Sequence, residues 1–230
     1  AELMVPAHDP LAARPDPRPP SAAEAARIVN EAYAADPDWG TLIWLTMVTG
    51  ARRGEICALR WENVDFASAT VEIRRSIWQR DGQVGEKDTK DHQKRRLALD
   101  TETMRILALH RALWEERAAA LGVPLAGRAF VFSLAPDGSK HLLPDSVTQK
   151  YGALVSRLGI ATSIHKLRHY SATELIKAGV DPRTVAGRLG HGGGGTTTLR
   201  YYTAWVAESD QRAAESLGAA MPTLAPSSPP

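Results

Sequence analysis

Imidazole, guanidinium and phenol side chains are concentrated in one stretch of the chain, H-K-L-R-H-Y-S-A-T-E-L-I-K-A-G-V-D-P-R-T-V-A-G-R-L-G-H-G-G-G-G-T-T-T-L-R-Y-Y, from His165 to Tyr202. These groups together suit attack on a phosphodiester. A guanidinium fork matches two phosphate oxygens, and an imidazole adds a hydrogen-bond donor or a proton carrier. A tyrosine oxygen becomes a covalent nucleophile once its proton is removed or its anion stabilised. Leu167, Ser171, Leu175 and Ala178 recur at helical spacing, and Gly179 ends the run. His165, Arg168 and His169 therefore share one helix face. Asp181-Pro182 opens a second helix, with Asp as N-cap and Pro in the first helical position. His191 follows it on a glycine-rich loop that leads to Tyr201 and Tyr202.

A second cationic cluster lies upstream, in T-G-A-R-R-G-E-I-C-A-L-R-W, residues 49–61. A short helix from about Arg52 to Leu59 buries Ile56, Cys57 and Leu59. Arg52 and Arg53 in its first turn oppose the helix dipole, which costs a few tenths of a kcal/mol. They are either a solvated pair or partners of an anion at that helix start. A third cluster falls between residues 69 and 99, where Val71, Ile73 and Ile77 favour strand and Asp81-Gly82 signals a tight turn. Leu97 and Leu99 then alternate with Arg96 and Ala98, so the segment reads as a three-stranded antiparallel sheet. Basic residues crowd it: Arg74, Arg75, Arg80, Lys87, Lys90, Lys94, Arg95 and Arg96, diluted by Asp81, Glu86, Asp88 and Asp91.

The remaining elements position these clusters. Residues 1–20 carry six prolines among small and charged residues and read as an extended linker. Ser21 with Glu24 makes a capping box for a helix from Ala22 to about Ala35, and Asp36-Pro37-Asp38 breaks it. Trp39 to Thr49 is apolar on nearly all sides, the mark of a buried helix, and Gly50 stops it. Asp100 or Thr101 caps a helix to about Leu121, with Met104, Leu107 and Leu113 apolar. Phe130-Val131-Phe132 is a short buried run. Ser146 to Leu158 is amphipathic, with Val147, Tyr151, Leu154, Val155 and Leu158 inward. Ala207 to Leu217 is a last helix, and residues 218–230 are a flexible tail rich in Pro and Ser.

Composition excludes several classes. The chain has 230 residues and a formal net charge of only +2, so a basic footprint has to be local. With one cysteine, Cys57, there is no intramolecular disulfide framework and no multi-cysteine zinc site, which fits a reducing cytoplasm. There is no apolar run of about 18 residues and no basic-then-apolar leader. His165 and His169 are spaced as zinc ligands on a helix, but a zincin places Glu directly after the first His, where this chain has Lys166. The glycine run after His191 lacks the Lys-Ser/Thr of a nucleotide-binding P-loop. Neither a metal nor another cofactor is expected.

Taken in order, T-G-x-R-x-x-E-I, the basic hairpin, H-x-x-R-H, L-G-H and T-T-x-L-x-Y-Y resemble the signature of the tyrosine recombinase, or phage integrase, family, over residues 21–217. The resemblance implies a mainly α-helical α+β catalytic domain with a small three-stranded antiparallel sheet. It implies that Arg52, Lys90, His165, Arg168, His191 and Tyr202 are catalytic, with Glu55 and His169 supporting. Lys90 falls on the position of a lysine carried by the hairpin into the minor groove, ahead of Lys87 and Lys94. Arg53, Arg74, Arg75, Lys87, Lys94, Arg95, Arg96 and Lys166 are the expected DNA-binding set. Family spacing and the Y-T that follows select Tyr202 over Tyr201. Double-stranded attachment sites, a homo-tetramer on DNA and host or phage DNA-bending factors are the implied partners, in a bacterial cytoplasm. The Pro-rich start resembles the linker from an N-terminal core-binding domain. The glycine-rich loop and the Ala/Arg-rich composition point to an actinobacterial host or its phage.

Overall fold

In a computed structural model the described residues are 18–88 and 94–190. Helix α1 (Ala22–Ala35) starts at the expected capping box: the Ser21 hydroxyl accepts the Glu24 N–H at 3.3 Å and the Glu24 carboxylate accepts the Ser21 N–H at 2.8 Å. Asp36 and Pro37 do break that helix, but they also begin the next, α2 (Pro37–Thr49), two residues earlier than the apolar pattern suggests. The Asp36 side chain accepts the Asp38 N–H, and proline occupies the first turn, where its missing N–H costs no bond. Helix α2 is buried on almost every side, through Leu42, Ile43, Leu45 and Met47. Each such side chain contributes about 1.5–3 kcal/mol. It is the central post against which α1, α4 (Thr101–Ala119) and α6 (Ile164–Lys177) pack.

Helix α3 (Arg53–Cys57) follows, and then a 3-10 turn (Trp61–Asn63). The strands depart from expectation. A three-stranded antiparallel sheet is present, but its order is β1 (Val64–Asp65), β2 (Thr70–Ile73), β5 (Arg95–Ala98). Strands β3 (Arg75–Arg80) and β4 (Gln83–Asp88) form a separate two-stranded ribbon. Both edges of β2 are taken, by β1 and β5, and the hairpin between β2 and β5 pairs with itself, β3 with β4. Its Asp81-Gly82 turn has positive φ at both residues, as a type I′ turn requires. The ribbon packs on α3 through Gly54, where any Cβ would overlap the Ile77 carbonyl oxygen.

Helix α4 is capped by Asp100, whose carboxylate accepts the Thr103 N–H at 3.0 Å. Its buried face is Thr103, Leu107, His110, Trp114 and Ala118, with Met104 partly buried against the core, so His110 and Trp114 point inward as well as the apolar residues. Helix α5 (Pro144–Arg157) buries Val147, Tyr151, Leu154 and Val155 as expected, while Leu158 is only partly covered. On α6, Leu167 and Ser171 are inward, together with Arg168, whereas Leu175 and Ala178 edge an open apolar groove shared with α1 and α2. Helix α7 (Pro182–Leu189) begins where Asp181 accepts the N–H groups of Arg183 and Thr184. Among the described residues no helix is long and apolar enough to cross a membrane. Most of the expected linker, and the expected last helix and tail, lie outside the described residues.

Candidate active site

Helix α2 ends at Gly50, whose left-handed backbone (φ 60°) turns the chain so that its carbonyl faces α6. Arg168 of α6 donates to that carbonyl through Nη1 at 2.7 Å. The side chain is buried, and its Nη2 has no hydrogen-bond partner among the described residues. An unpaired, buried half of a guanidinium is costly unless something anionic completes it.

Arg52 stands just before α3, as its N-cap. It is fixed by Glu55: the Glu55 Oε2 accepts the Arg52 N–H at 2.8 Å, and Oε1 accepts Arg52 Nη1 at 2.9 Å. The other arm, Nη2, donates to the carbonyl of Gly190 at 3.2 Å. Gly190 ends α7 in the left-handed region (φ 67°) and immediately precedes His191 in the chain. Arg188 holds this end of α7 in place by donating to the carbonyls of Ala98 (3.1 Å) and Val48 (3.2 Å).

Glu55 itself is almost completely buried. Burial alone would push its carboxyl up, but Arg95, the Arg52 amide and the Arg52 guanidinium together outweigh it and hold it below the usual range. Arg95 contributes a bidentate pair, Nη1 to Oε1 at 3.1 Å and Nη2 to Oε2 at 2.6 Å. This corrects the expectation that Arg95 faces DNA: it is 8% exposed and points into the protein. Arg52 and Arg95 thus bind a single carboxylate, and Arg168 is close enough to feel its charge. Burial, and next the charge of Arg52, push the Arg168 guanidinium down to about 9, still charged at neutral pH. The cluster carries an excess of positive charge, which an oxyanion bound there would relieve.

His165 lies on the exposed side of α6, one turn from His169, with the two rings edge-on at 5.1 Å between centroids. Partial burial, then Arg168, Lys166 and Arg52, push the His165 imidazole below its ordinary value. It is therefore neutral at pH 7, with one N–H to give and one lone pair to accept. Among the described residues no group of three or more His, Cys, Asp or Glu side chains could hold a metal ion. Lys90, His191, Tyr201 and Tyr202 lie outside the described residues.

The expected DNA-binding side chains divide. Arg74, Arg75, Lys87, Lys94 and Arg96 are exposed and Lys166 is half-covered. Arg74 pairs with Glu72 (3.7 Å), Arg75 with Asp88 (3.6 Å) and Arg96 with Asp65 (2.9 Å). Arg53 is exposed but reaches α5, donating to Thr148 Oγ1 at 2.6 Å and pairing with Asp145 at 3.2 Å. Arg60, which the sequence does not single out, grips the ribbon. Its guanidinium makes two bonds to the Glu86 carboxylate, one of them 3.0 Å, while lying over the Phe130 ring at 4.2 Å. No local pattern announces that arrangement, because its partners are distant in sequence.

Two neighbouring guanidinium groups, one of them buried and half unpaired, with a neutral imidazole on the same helix as the buried one, can bind a tetrahedral anion and stabilise the charge that grows on it. The phage integrase family matches residues 22–208, and the chain belongs to that family. It is 29% identical to the ICEBs1 integrase of Bacillus subtilis over 160 residues, covering 68% of this chain and 42% of that protein. It is 25% identical to a XerC-like tyrosine recombinase of Caldanaerobacter subterraneus over 194 residues, covering 76% of this chain and 48% of that protein. The chain spans about half the length of the curated relatives it matches. Among solved structures, the Tn1549 transposon integrase in complex with transposon right end DNA shares its fold, with a TM-score of 0.71, 20% identity, and coverage of 89% of this chain and 67% of that one. A lambda integrase tetramer bound to a Holliday junction gives 0.57 at 15% identity, covering 80% and 48%. The fold is that of a tyrosine recombinase catalytic domain, helical with small antiparallel sheets, as the sequence resemblance implied.

Proposed function

We propose that this chain carries the strand-cleavage chemistry of a site-specific DNA recombinase. The observation that carries the reading is the unpaired Nη2 of buried Arg168, in a cluster with more positive than negative charge. In this reading Tyr202 attacks the scissile phosphorus as its phenol gives up a proton. The bond from phosphorus to the 5′-oxygen breaks, leaving a 3′-phosphotyrosine and a 5′-hydroxyl. Arg52 and Arg168 hold the non-bridging oxygens and take up the charge that develops on them. Lys90 supplies the proton for the departing 5′-oxygen. His165 and His191 donate to the phosphate or carry the tyrosine's proton. The covalent link conserves the bond, so attack by another 5′-hydroxyl reseals DNA without ATP. The clustered cations do what a divalent metal does in other phosphoryl-transfer sites.

Double-stranded DNA is the proposed partner, contacted by the exposed basic residues of β3, β4 and β5. The lambda integrase tetramer on a Holliday junction supports a tetramer for the full-length protein, in the bacterial cytoplasm. An integrase from mycobacterium phage Brujita, 25% identical over 76% of this chain, supports an actinobacterial setting. The test is incubation of the full-length protein, in EDTA, with a nicked half-site that lets the 5′-fragment diffuse away. A denaturant-resistant protein–DNA adduct that maps to Tyr202 and disappears in Tyr202→Phe is expected. A strict need for divalent ions, or an adduct on Tyr201, contradicts the proposal.

A further inference from the structure

Arg95 has an environment that DNA binding does not explain. It opens β5, with Ile73 opposite it in the sheet, and both arms of its fork end on Glu55. Each Glu55 oxygen accepts two bonds, one from Arg95 and one from Arg52: Oε1 takes both Nη1 atoms, and Oε2 takes Arg95 Nη2 and the Arg52 amide. All four donors lie between 2.6 and 3.1 Å. Gly190 rests on the same guanidinium: a Cβ there would sit 3.1 Å from Arg95 Nη1 and 3.2 Å from its Cδ. Arg95 therefore touches the carboxylate that fixes Arg52 and also the residue whose carbonyl receives the other arm of Arg52.

The charges matter as much as the bonds. Were Arg52 the only partner of Glu55, the two would form a neutral pair, and Arg52 would offer a phosphate little net field. With Arg95 present, the carboxylate charge is already matched from behind. Arg52 keeps its geometry from Glu55 and its positive charge for a phosphate. Arg95 is too enclosed to reach a substrate, so it acts through its neighbours.

We propose that Arg95 is a positioning residue that neutralises Glu55 from within the fold, so that Arg52 is held by that carboxylate yet remains a net cation toward the scissile phosphate. The inference rests on the phosphoryl-transfer reading above. It also joins β5 to the end of α7, so the strand that follows the Lys90 segment and the glycine that precedes His191 meet on one guanidinium.

Single-turnover cleavage by the full-length protein on two half-sites separates this role from a merely structural one. One half-site carries the natural phosphate and the other a neutral methylphosphonate at the scissile position. Arg95→Gln is expected to slow cleavage of the phosphate by about 10- to 100-fold, the scale on which partners that orient a functional group act. The methylphosphonate rate is expected to fall by less than about threefold, because a neutral centre asks less of the field, with Kd for DNA unchanged. Equal losses on both half-sites, or no loss on the phosphate, overturn the proposal. Should Arg95→Gln fail to fold, Arg95→Lys carries the test. A buried ammonium sheds its proton more readily than a guanidinium. The ratio of phosphate to methylphosphonate rates should therefore fall in Arg95→Lys as pH rises, and stay level in the wild type. A ratio equally level in the variant overturns the proposal. A wild-type protein that cleaves neither half-site would instead overturn the recombinase reading, and this inference with it.

Discussion

Arg95 and Arg96 are adjacent in β5 and lie in opposite surroundings. Arg95 faces inward, its side chain 7% exposed, bound twice to a carboxylate that is itself 1% exposed. Arg96 faces outward at 59% exposure, with Asp65, Ser68 and Thr70 around its guanidinium. The contrast extends to whole regions. In the centre formed by α3, β5 and α6, the guanidinium groups of Arg52 and Arg95 share one carboxylate, Arg168 stands near enough to feel its charge, and positive charge is left over. On β3, β4 and the outer face of β5, arginines pair singly with surface carboxylates, where water and salt screen them. The centre is organised so that charge stays put and stays unbalanced, which suits chemistry. The outer face offers charge that can be exchanged for phosphate, which suits binding.

That contrast can be broken most severely at Glu55. Glu55→Ala leaves Arg95 buried with no partner and Arg52 without its anchor. Stability is expected to fall by about 3–5 kcal/mol, as when one member of a buried pair is removed, measured by urea unfolding. A decrease below about 1 kcal/mol would mean that the centre is wetter and less demanding than its geometry implies.

A smaller effect, of a different kind, is expected on the ribbon. Arg75→Ala with Lys87→Ala should leave urea stability within about 0.5 kcal/mol. It should weaken DNA binding by the full-length protein and lower the salt dependence by about one unit of slope for each phosphate that is no longer neutralised. A salt slope unchanged by the double substitution would remove the ribbon from the DNA-binding surface.

The smallest effect concerns acid. Burial holds His110 below its ordinary value, and its Nε2–H donates to the Val131 carbonyl at 2.8 Å. Partial burial lowers His165 in the same direction. The unfolded chain therefore takes up these protons first, and stability present above the unfolded value of about 6.5 is lost as pH falls below it. His110 should contribute to the decline as pH falls below about 6.5. His110→Leu, though less stable throughout, should show a shallower decline. An unchanged slope would assign the acid sensitivity to other groups.

How much of this is legible in the chain depends on whether the signal is local. Helices α1, α6 and α7 are legible because their caps and stops are adjacent in sequence: Ser21 with Glu24, Gly179, Asp181 with Pro182. The Asp81-Gly82 turn is equally plain. Strand partners are not, because pairing β2 with Val64–Asp65 depends on tertiary placement. Arg95 is the instructive miss. Leu97 and Leu99 alternate with Arg96 and Ala98 and face inward, and the period of two puts Arg95 on their face. Its residue type suggests a surface cation, and the pattern is the better guide. Arg60 and Arg188 leave no local signal, since they act on Glu86 and on the carbonyls of Ala98 and Val48, all far away in sequence. Arg52, Glu55 and Arg168 are named by motif and brought together by the fold. Lys90, His191 and Tyr202 rest on the motifs alone.

The division between a centre for chemistry and a surface for binding is tested most directly by Arg168→Ala in the full-length protein, with adduct formation followed at saturating half-site DNA. The expected result is a rate lower by about 10²–10³-fold, with Kd close to that of the wild type. An Arg168→Ala protein that forms adduct at the wild-type rate once DNA is saturating would contradict the assignment of the buried centre to phosphate chemistry.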